Sequence, residues 1–285
     1  MNTDNSRLKN QTIKEYQTRI NKVIDYIENN LGSELTLETL SSVACFSSFH
    51  FHRLFHSLTG DTPANYIKKR RLISAANKMY RYPDTKISHI AYEFGFSGQS
   101  DFSRSFKAFF KITPTAFMES KHKNKCLALP LTENTQSTSL TQSSEYEKDI
   151  NIRRLDDYTV AYIRNSGLSK EHRNEEIESS FRKLYTWAAV RELINNDTLV
   201  MGVTLDNPEI VSLEECRHDT CLTLSQTAEP DGNIGIRRLN TKGRYAAFRF
   251  NSEDREFSKT FFRSLTTFMA AGCQKTGSFL RINPV

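Results

Sequence analysis

Histidine and cysteine side chains occur in this chain at two places where their spacing would suit a metal ion. His52 and His56 are four residues apart, which places both imidazoles on one side of a helix, and Cys216, His218 and Cys221 form a short cluster. No cysteine or carboxylate stands where it would complete the first set. On a strand, Cys216 and His218 share a face while Cys221 has the opposite parity. We therefore expect no metal site and no cofactor at either place.

Arginine, glutamine and small polar side chains recur in two short segments whose chemistry suits DNA bases. The outward positions of the first segment are Ser48, Phe49, His52 and Arg53, and those of the second are Gly98, Gln99, Ser100, Ser103 and Arg104. Arginine can bind guanine O6 and N7, glutamine can bind adenine N6 and N7, and an aromatic ring can touch a thymine methyl group. We expect both segments to contact base edges in a major groove.

A repeated helical pattern must position these two segments. The stretches "LETLSSVACFSSFHFHRLF" (37–55) and "ISHIAYEFGFSGQSDFSRSFKAFF" (87–110) each predict a helix, a tight turn with Phe-Ser, and a second helix. Two helix-turn-helix units follow from this pattern. Gly95 suits a left-handed turn residue, and Cys45 takes the equivalent place in the first unit at a mild cost. The residues of opposite helical phase are expected in the core: Phe51, Leu54, Phe55, Phe102 and Phe106.

Proline and glycine mark the ends of the remaining helices. Thr62-Pro63 and Thr113-Pro114 predict helix starts at about 63 and 114, and Gly32 suits the left-handed position after a helix over 14–31. The long helix from Pro63 carries Lys68, Lys69 and Arg70, which would form either phosphate contacts or a solvated basic face. If this helix holds both units rigidly, a monomer can reach successive major grooves about 34 Å apart.

Composition and charge agree with a basic, nucleic-acid-binding first half. The 285 residues are 38% hydrophobic and carry a net charge of +6, of which +5 falls in residues 1–120. No apolar run approaches the roughly 18 residues of a membrane-spanning helix, and the polar N-terminus has no signal-peptide core. The five cysteines are odd in number and lack a C-x-x-C pair. These features predict a cytoplasmic protein with reduced thiols and no membrane partner.

The run "FHRLFHSLTGDTPANYIKKRRL", followed by "IAYEFGFSGQSDFSRSFKAFFKITPTAF", resembles the AraC/XylS family of bacterial transcription regulators. The resemblance covers about residues 13–120. It implies an all-α domain with two helix-turn-helix motifs joined by a long helix, and double-stranded DNA and RNA polymerase as partners. Activation and repression are both compatible with it.

The rest of the chain predicts a linker and a second domain of another class. Residues 121–149 are rich in Ser, Thr, Gln, Asn and Lys, which indicates a flexible linker. In 150–285 the sequence Ile-Arg-Arg-Leu at 152–155 recurs at 236–239, and each copy predicts strand, strand, helix, strand. First-copy strands are expected at about 150–155, 158–164, 198–204 and 217–225, and second-copy strands at 234–239, 244–250 and 278–282. The pattern favours a pseudo-symmetric α+β domain whose second repeat lacks its last strand.

The run "MGVTLDNPEIVSLEECRHDTCLTL" resembles the GyrI-like effector-binding domain, and the domain order is similar to that of Rob-type regulators. The resemblance implies an aromatic-lined cleft for a small aromatic or amphipathic effector, with Tyr162, Trp187 and Phe248 as the expected wall. The ligand-binding Glu of that family is replaced here by Leu280, followed by Arg281, which favours neutral or anionic compounds. The same replacement argues against catalysis, and no catalytic residues are expected.

Three hypotheses remain at this point. The chain is a one-component transcription regulator, or its C-terminal domain is an enzyme, such as a vestigial hydrolase, that DNA binding merely localises. In the third, the C-terminal domain is a protein-interaction module without a ligand. We favour the first.

Overall fold

A computed structural model describes residues 2–122, 151–154, 157–167, 175–207, 210–239, 244–247 and 280–284. Its contacts divide the chain into two compact units. The first comprises Met1–Leu129, Asp206–Cys216 and Glu229–Gly235, and the second comprises Pro130–Leu205, Arg217–Ala228 and Ile236–Val285. The expected linker falls almost wholly outside the described residues, so its boundaries stay a prediction.

Within the part of the chain that the structure describes, the first unit contains seven helices. They are α1 (Asn2–Asn29), α2 (Leu37–Ala44), α3 (Ser48–Thr59), α4 (Pro63–Arg81), α5 (Ile87–Glu93), α6 (Gln99–Phe110) and α7 (Pro114–His122). Local chemistry explains several starts, because the side chains of Thr36, Ser47 and Thr62 accept hydrogen bonds from the first turns of α2, α3 and α4. The predicted starts at Pro63 and Pro114 are confirmed.

Both helix-turn-helix turns use left-handed backbone. Cys45 has φ 54° and Gly95 has φ 70°, as the sequence pattern predicts. Arg71 fastens the second turn: its Nε donates to Leu31 O at 2.8 Å, its Nη1 to Gly95 O at 2.9 Å and its Nη2 to Ser33 O at 2.7 Å. The expectation for Gly32 was wrong, because this residue is not left-handed. It is required for space, since a Cβ there would collide with the carbonyl oxygen of Glu93.

Apolar side chains of α1 to α4 form the core around the first helix-turn-helix. Its buried members are Ile20, Val23, Ile27, Leu31, Leu40, Ala44, Phe51, Phe55 and Ile67. Phe51, Phe55, Phe102 and Phe106 are each 0% exposed, as their helical phase predicts, and Leu54 is half-buried. Burying these rings fixes the rotation of α3 and α6 about their axes, which decides which side chains face outward.

The first unit also includes two segments from far along the sequence, 206–216 and 229–235. Lys14 of α1 forms an ion pair with Asp231, with Nζ 3.2 Å from Oδ1. Thr18 Oγ1 donates a hydrogen bond to the carbonyl oxygen of Gly232 at 3.2 Å. Ile210 and Val211 of the other segment are buried. The compact helical unit thus includes segments that begin more than fifty residues after the end of the predicted linker.

The second unit combines antiparallel sheet with one described helix. Its strands are β1 (Asn151–Arg154), β2 (Tyr158–Ser166), β3 (Leu199–Thr204), β4 (Arg217–Thr223), β5 (Ile234–Leu239), β6 (Arg244–Ala247) and β7 (Leu280–Pro284), with α8 (Glu175–Val190). Five strands form a sheet in the order β5-β2-β4-β3-β7, and β1 pairs with β6 separately. Each predicted strand position therefore carries a strand. The helix predicted between the second and third strands of the second copy lies outside the described residues.

The two faces of the five-stranded sheet differ in chemistry. Tyr162 pairs with Cys221 and Cys221 with Met201, so these side chains share one face, where Val160 and Val203 complete an apolar cluster. Helix α8 covers the opposite face, because Ser180 Oγ donates to Oδ1 of Asn165 at 2.8 Å. Among the described helices none is both long enough and apolar enough to cross a membrane.

Candidate nucleic-acid interface and ligand-binding region

Helix α3 presents an exposed aromatic and basic edge. Phe49 is 73% exposed, and the guanidinium of Arg53 lies over its ring at 5.7 Å. His52 is exposed beside them. Ser48 is half-buried, and its Oγ lies 3.1 Å from that of Ser41. An exposed ring can contact a base and a guanidinium can bind base edges or phosphates, so this pair suits a nucleic-acid surface.

Helix α6 presents a matching polar edge. Gln99, Ser100 and Arg104 are exposed, while Ser103 is half-buried. Gln99 and Ser100 lie in the first turn, which is where a recognition helix meets base edges.

The same side-chain frame holds the outward arginine in both helices. In sequence, Arg53 stands between Phe51 and Phe55, whose buried rings contact each other with centroids 5.5 Å apart and an interplanar angle of 58°. Arg104 lies between Phe102 and Phe106, whose centroids are 5.4 Å apart at 57°. The pattern Phe-x-Arg-x-Phe therefore buries both rings and points the arginine out.

The basic run of α4 requires a correction. Arg70 is 5% exposed: its Nη1 donates to Asp206 Oδ1 at 2.9 Å and its Nε to Glu28 Oε1 at 2.8 Å. A guanidinium held by two carboxylates below the surface does not reach phosphate, so the predicted DNA contact for Arg70 was wrong. Lys69 pairs with Glu215 at 2.9 Å at the surface, and Lys68 is exposed.

The expected aromatic wall of the ligand cleft is not assembled as predicted. Tyr162 is 1% exposed on the sheet face with Cys221, whereas Trp187 belongs to the buried side of α8, on the opposite face. One cleft on one face therefore cannot be lined by both. Phe248, the third predicted residue, lies outside the described residues.

The α8 face of the sheet holds an apolar hollow of about 330 Å³. Phe181, Leu184 and Tyr185 line it from the helix, and Val200 and Leu222 line it from the sheet. Trp187 is not among its lining residues; the guanidinium of Arg191 lies over the Trp187 ring at 4.8 Å.

The other face holds a polar cluster that the sequence reasoning missed. Asp219 of β4 is 0% exposed and lies between Arg164 of β2 and Arg237 of β5. Both guanidinium groups also lie over the ring of Tyr162, at 5.1 and 5.0 Å. A signal existed, because Arg237 belongs to the repeated Ile-Arg-Arg-Leu, and alternation places one of its two arginines on each face.

Two side chains considered as metal ligands lie at the start of β4: Cys216 directly precedes this strand and His218 belongs to it. Cys216 and His218 are both buried, and neither ring nitrogen of His218 has a hydrogen-bond partner. Burial lowers the pKa of His218, against the opposing charges of Asp219 and Glu176. Within the described part of the chain, no three His, Cys, Asp or Glu side chains lie together as metal ligands would.

The helices and the sheet together define a helix-turn-helix regulator with a second, ligand-binding class of domain. The model of a helix-turn-helix domain matches residues 40–120, and that of a GyrI-like small molecule binding domain matches residues 148–281. The chain belongs to the AraC/XylS family of DNA-binding transcription regulators and carries a GyrI-like domain.

Three curated relatives illustrate the likeness. The chain is 38% identical over 106 residues to the TetD protein of transposon Tn10 from Escherichia coli, covering 37% of this chain and 76% of TetD. It is 32% identical over 113 residues to the multiple antibiotic resistance protein MarA of Salmonella typhimurium, covering 39% and 88%. Identity to YbfP of Bacillus subtilis, an uncharacterized HTH-type transcriptional regulator, is 37% over 102 residues, covering 36% of this chain and only 34% of YbfP.

Solved structures resemble the chain over a similar fraction. An AraC-type regulator from Chromobacterium violaceum covers 38% of this chain and 96% of its own, at 23% identity and a TM-score of 0.36. The DNA-binding domain of AdpA, crystallised with a target DNA, covers 38% and 97%, at 22% identity and a TM-score of 0.35.

Proposed function

We propose that one copy of this chain binds double-stranded DNA by placing α3 and α6 in successive major grooves. The observation that carries this proposal is the shared frame of the two helices, Phe51-x-Arg53 and Phe102-x-Arg104, with rings buried and arginines outward. The proposed base contacts are Ser48, Phe49, His52, Arg53, Gln99, Ser100, Ser103 and Arg104. Lys68 and Lys69 are proposed phosphate contacts, with Lys69 exchanging Glu215 for phosphate.

Selection of duplexes from a random library with the full chain tests this reading. We expect a single site of roughly 20 base pairs that contains two short determinants about 10 base pairs apart. Fluorescence anisotropy should then give one chain per duplex and a steep fall of affinity with salt, because several phosphate contacts release counterions. A palindromic site bound by two chains, or affinity that does not change with salt, contradicts the proposal.

We further propose that the C-terminal domain, residues 150–285, acts by binding a small effector and not by catalysis, with RNA polymerase as the partner that receives the signal. Support comes from the matched small-molecule-binding family model and from relatives described as an HTH-type transcriptional regulator and a probable transcription factor. The competing function is a protein-interaction module. Sensitivity of DNA affinity to an added small molecule distinguishes the two, because a pure interaction module responds only to a protein.

We also propose that this domain contains two copies of one strand-strand-helix-strand unit. In such a repeat β1, β2 and β3 correspond to β5, β6 and β7. The pairing of β1 with β6 then corresponds to the pairing of β5 with β2, and β3 pairs with its own counterpart β7. This exchange is what a pseudo-two-fold axis would produce, and it supports the repeat.

A further inference from the structure

The carboxylate of Asp219 is approached by two guanidinium groups. Arg164 binds the carboxylate of Asp219 through two hydrogen bonds, from Nε to Oδ1 at 2.9 Å and from Nη2 to Oδ2 at 3.0 Å. Arg237 approaches the same carboxylate, with Nη2 at 2.8 Å from Oδ2. Both guanidinium groups therefore share the carboxylate of Asp219.

Arg237 has donors that the protein does not use well. Its Nε is buried without a hydrogen-bond partner, and its Nη2 is near Asp219 but not aligned for a hydrogen bond. Arg237 also has a side-chain hydrogen bond with the thiol of Cys221, but this thiol supplies no countercharge, since burial and Asp219 raise its pKa to about 12. A buried donor without an acceptor costs free energy. An anion at the exposed part of the same side chain would add countercharge beside these donors.

The surroundings of Arg237 can admit a ligand and are apolar beside it. Its side chain is 25% exposed, whereas Asp219 and Tyr162 are closed off at 0% and 1%. Tyr158 and Leu239 are partly buried hydrophobic residues on the same face. Tyr158 lies four residues before Tyr162 in β2, and Leu239 lies two residues after Arg237 in β5, so alternation places each on the side of its neighbour. A molecule that bonds to Arg237 would thus lay its body against half-buried apolar side chains.

We infer that Arg237 is the anchor for an acidic, amphipathic small molecule, whose carboxylate or similar anion binds its guanidinium while its apolar part covers Tyr158 and Leu239. The inference rests on the proposed small-molecule binding by this domain and names its ligand class. The neighbouring Arg238 offers an internal comparison, because it points to the other side, is 72% exposed and pairs with Asp157.

Isothermal titration calorimetry of the full chain with three matched probes tests the ligand class. The probes are 2-naphthoate, 2-naphthamide and 2-naphthylmethylammonium at constant ionic strength, so that only the charge on the same ring system changes. We expect 2-naphthoate to bind at least tenfold more tightly than either of the others. Equal or tighter binding of the amide or the ammonium overturns the acidic class and leaves small-molecule binding intact.

Substitutions at Arg237 test the location. Arg237→Gln should weaken 2-naphthoate binding at least tenfold, Arg237→Lys should restore part of it, and the control Arg238→Gln should stay within twofold. Asp219 keeps its two bonds from Arg164 in each variant, and circular dichroism melts check that the fold persists. Unchanged 2-naphthoate affinity in Arg237→Gln overturns the site alone. Absence of binding by all three probes overturns both this inference and the proposed effector function.

Discussion

Arg70 of α4 and Asp206 are joined by an ion pair of 2.9 Å although 136 residues separate them in sequence. Both side chains are almost fully closed off from solvent, at 6% and 1% exposure. Glu28 of α1 binds the same guanidinium from its other edge. The long helix between the two helix-turn-helix motifs is therefore fixed from two directions, one local and one distant.

Asp206→Asn should lower the free energy of unfolding of the helical unit by about 1–3 kcal/mol, because a buried charge pair loses one partner while Glu28 still holds Arg70. Urea denaturation followed by circular dichroism at 222 nm measures this change. The matched control is Glu215→Gln, which breaks the exposed pair with Lys69 and should cost no more than about 0.5 kcal/mol. Equal effects of the two substitutions would contradict the structural role given to Asp206.

Gly95→Ala should destabilise the chain more than Gly60→Ala. Both glycines are left-handed, at φ 70° and 79°, so each substitution pays about 1 kcal/mol or more for backbone strain. A Cβ at Gly95 also comes within 2.7 Å of Arg71 Nη2, whereas a Cβ at Gly60 meets no heavy atom within 4 Å. Thermal melts of both variants should show the larger loss at Gly95; equal losses would mean that Arg71 moves aside freely.

Arg53→Ala and Arg104→Ala should each cost about 1–3 kcal/mol at the selected duplex and relax specificity in one half of it. The control is Lys107→Ala, which removes one exposed charge one turn further along α6. It should weaken binding similarly on selected and random duplexes. Anisotropy on duplexes with one determinant scrambled assigns each arginine to its half. If either substitution weakens binding equally on selected, scrambled and random duplexes, that arginine contacts phosphate and not a base edge.

Acidification should destabilise the sheet domain through His218. Burial holds the pKa of His218 below the ordinary value of about 6.5. The unfolded chain therefore takes up the proton first as the pH falls. The contribution of neutral His218 to the free energy of unfolding is fully present when the pH is above its ordinary pKa. This contribution is lost as the pH falls from the ordinary pKa to the lowered pKa of the folded chain. His218→Leu should flatten this part of the stability profile, while His52→Gln, at an exposed position, should not. Parallel profiles for the wild type and His218→Leu would count against the prediction.

Thiol reagents should distinguish Cys45 from the cysteines of the sheet region. Cys45 is exposed, whereas Cys216 and Cys221 are buried, and the high pKa of Cys221 keeps its thiol protonated. Brief iodoacetamide treatment of the native chain and peptide mass spectrometry should find Cys45 alkylated and the other two intact. All three should react in urea. Native alkylation of Cys221 would show that the apolar face of the sheet opens readily.

Helix phase and cap chemistry are local, and they were sufficient to predict most of the helical unit. The starts at Pro63 and Pro114, the left-handed Cys45 and Gly95, and the buried Phe51 and Phe106 all follow from neighbours within a few residues. Arg70 was misassigned for the opposite reason. Its partner Asp206 is remote, and a basic run is equally compatible with a solvated face until the distant carboxylate is located.

The sheet unit shows the same division between local and long-range information. Strand positions such as β2 and β4 followed from composition and repetition. The separation of Tyr162 and Trp187 depended on which face α8 covers, and that is decided by strand order, which the residues do not specify locally. Alternation within a strand could have placed Arg164 beside Tyr162, but only pairing with β4 brings in Asp219.

The first compact unit takes in chain on both sides of β4, before Arg217 and after Ala228, which makes its sequence discontinuous. If a gene fusion joined this chain to another domain within residues 121–149, the seven helices would be transferred without Asp206, Asp231 and Gly232, which lie later in the sequence. A chimera built from residues 1–120 keeps the pair of Arg70 with Glu28 but loses the second carboxylate, Asp206, and it loses the Asp231 partner of Lys14. Grafting this DNA-binding half onto another sensor therefore keeps the full set of contacts around Arg70 only if the new partner supplies a carboxylate in the place of Asp206.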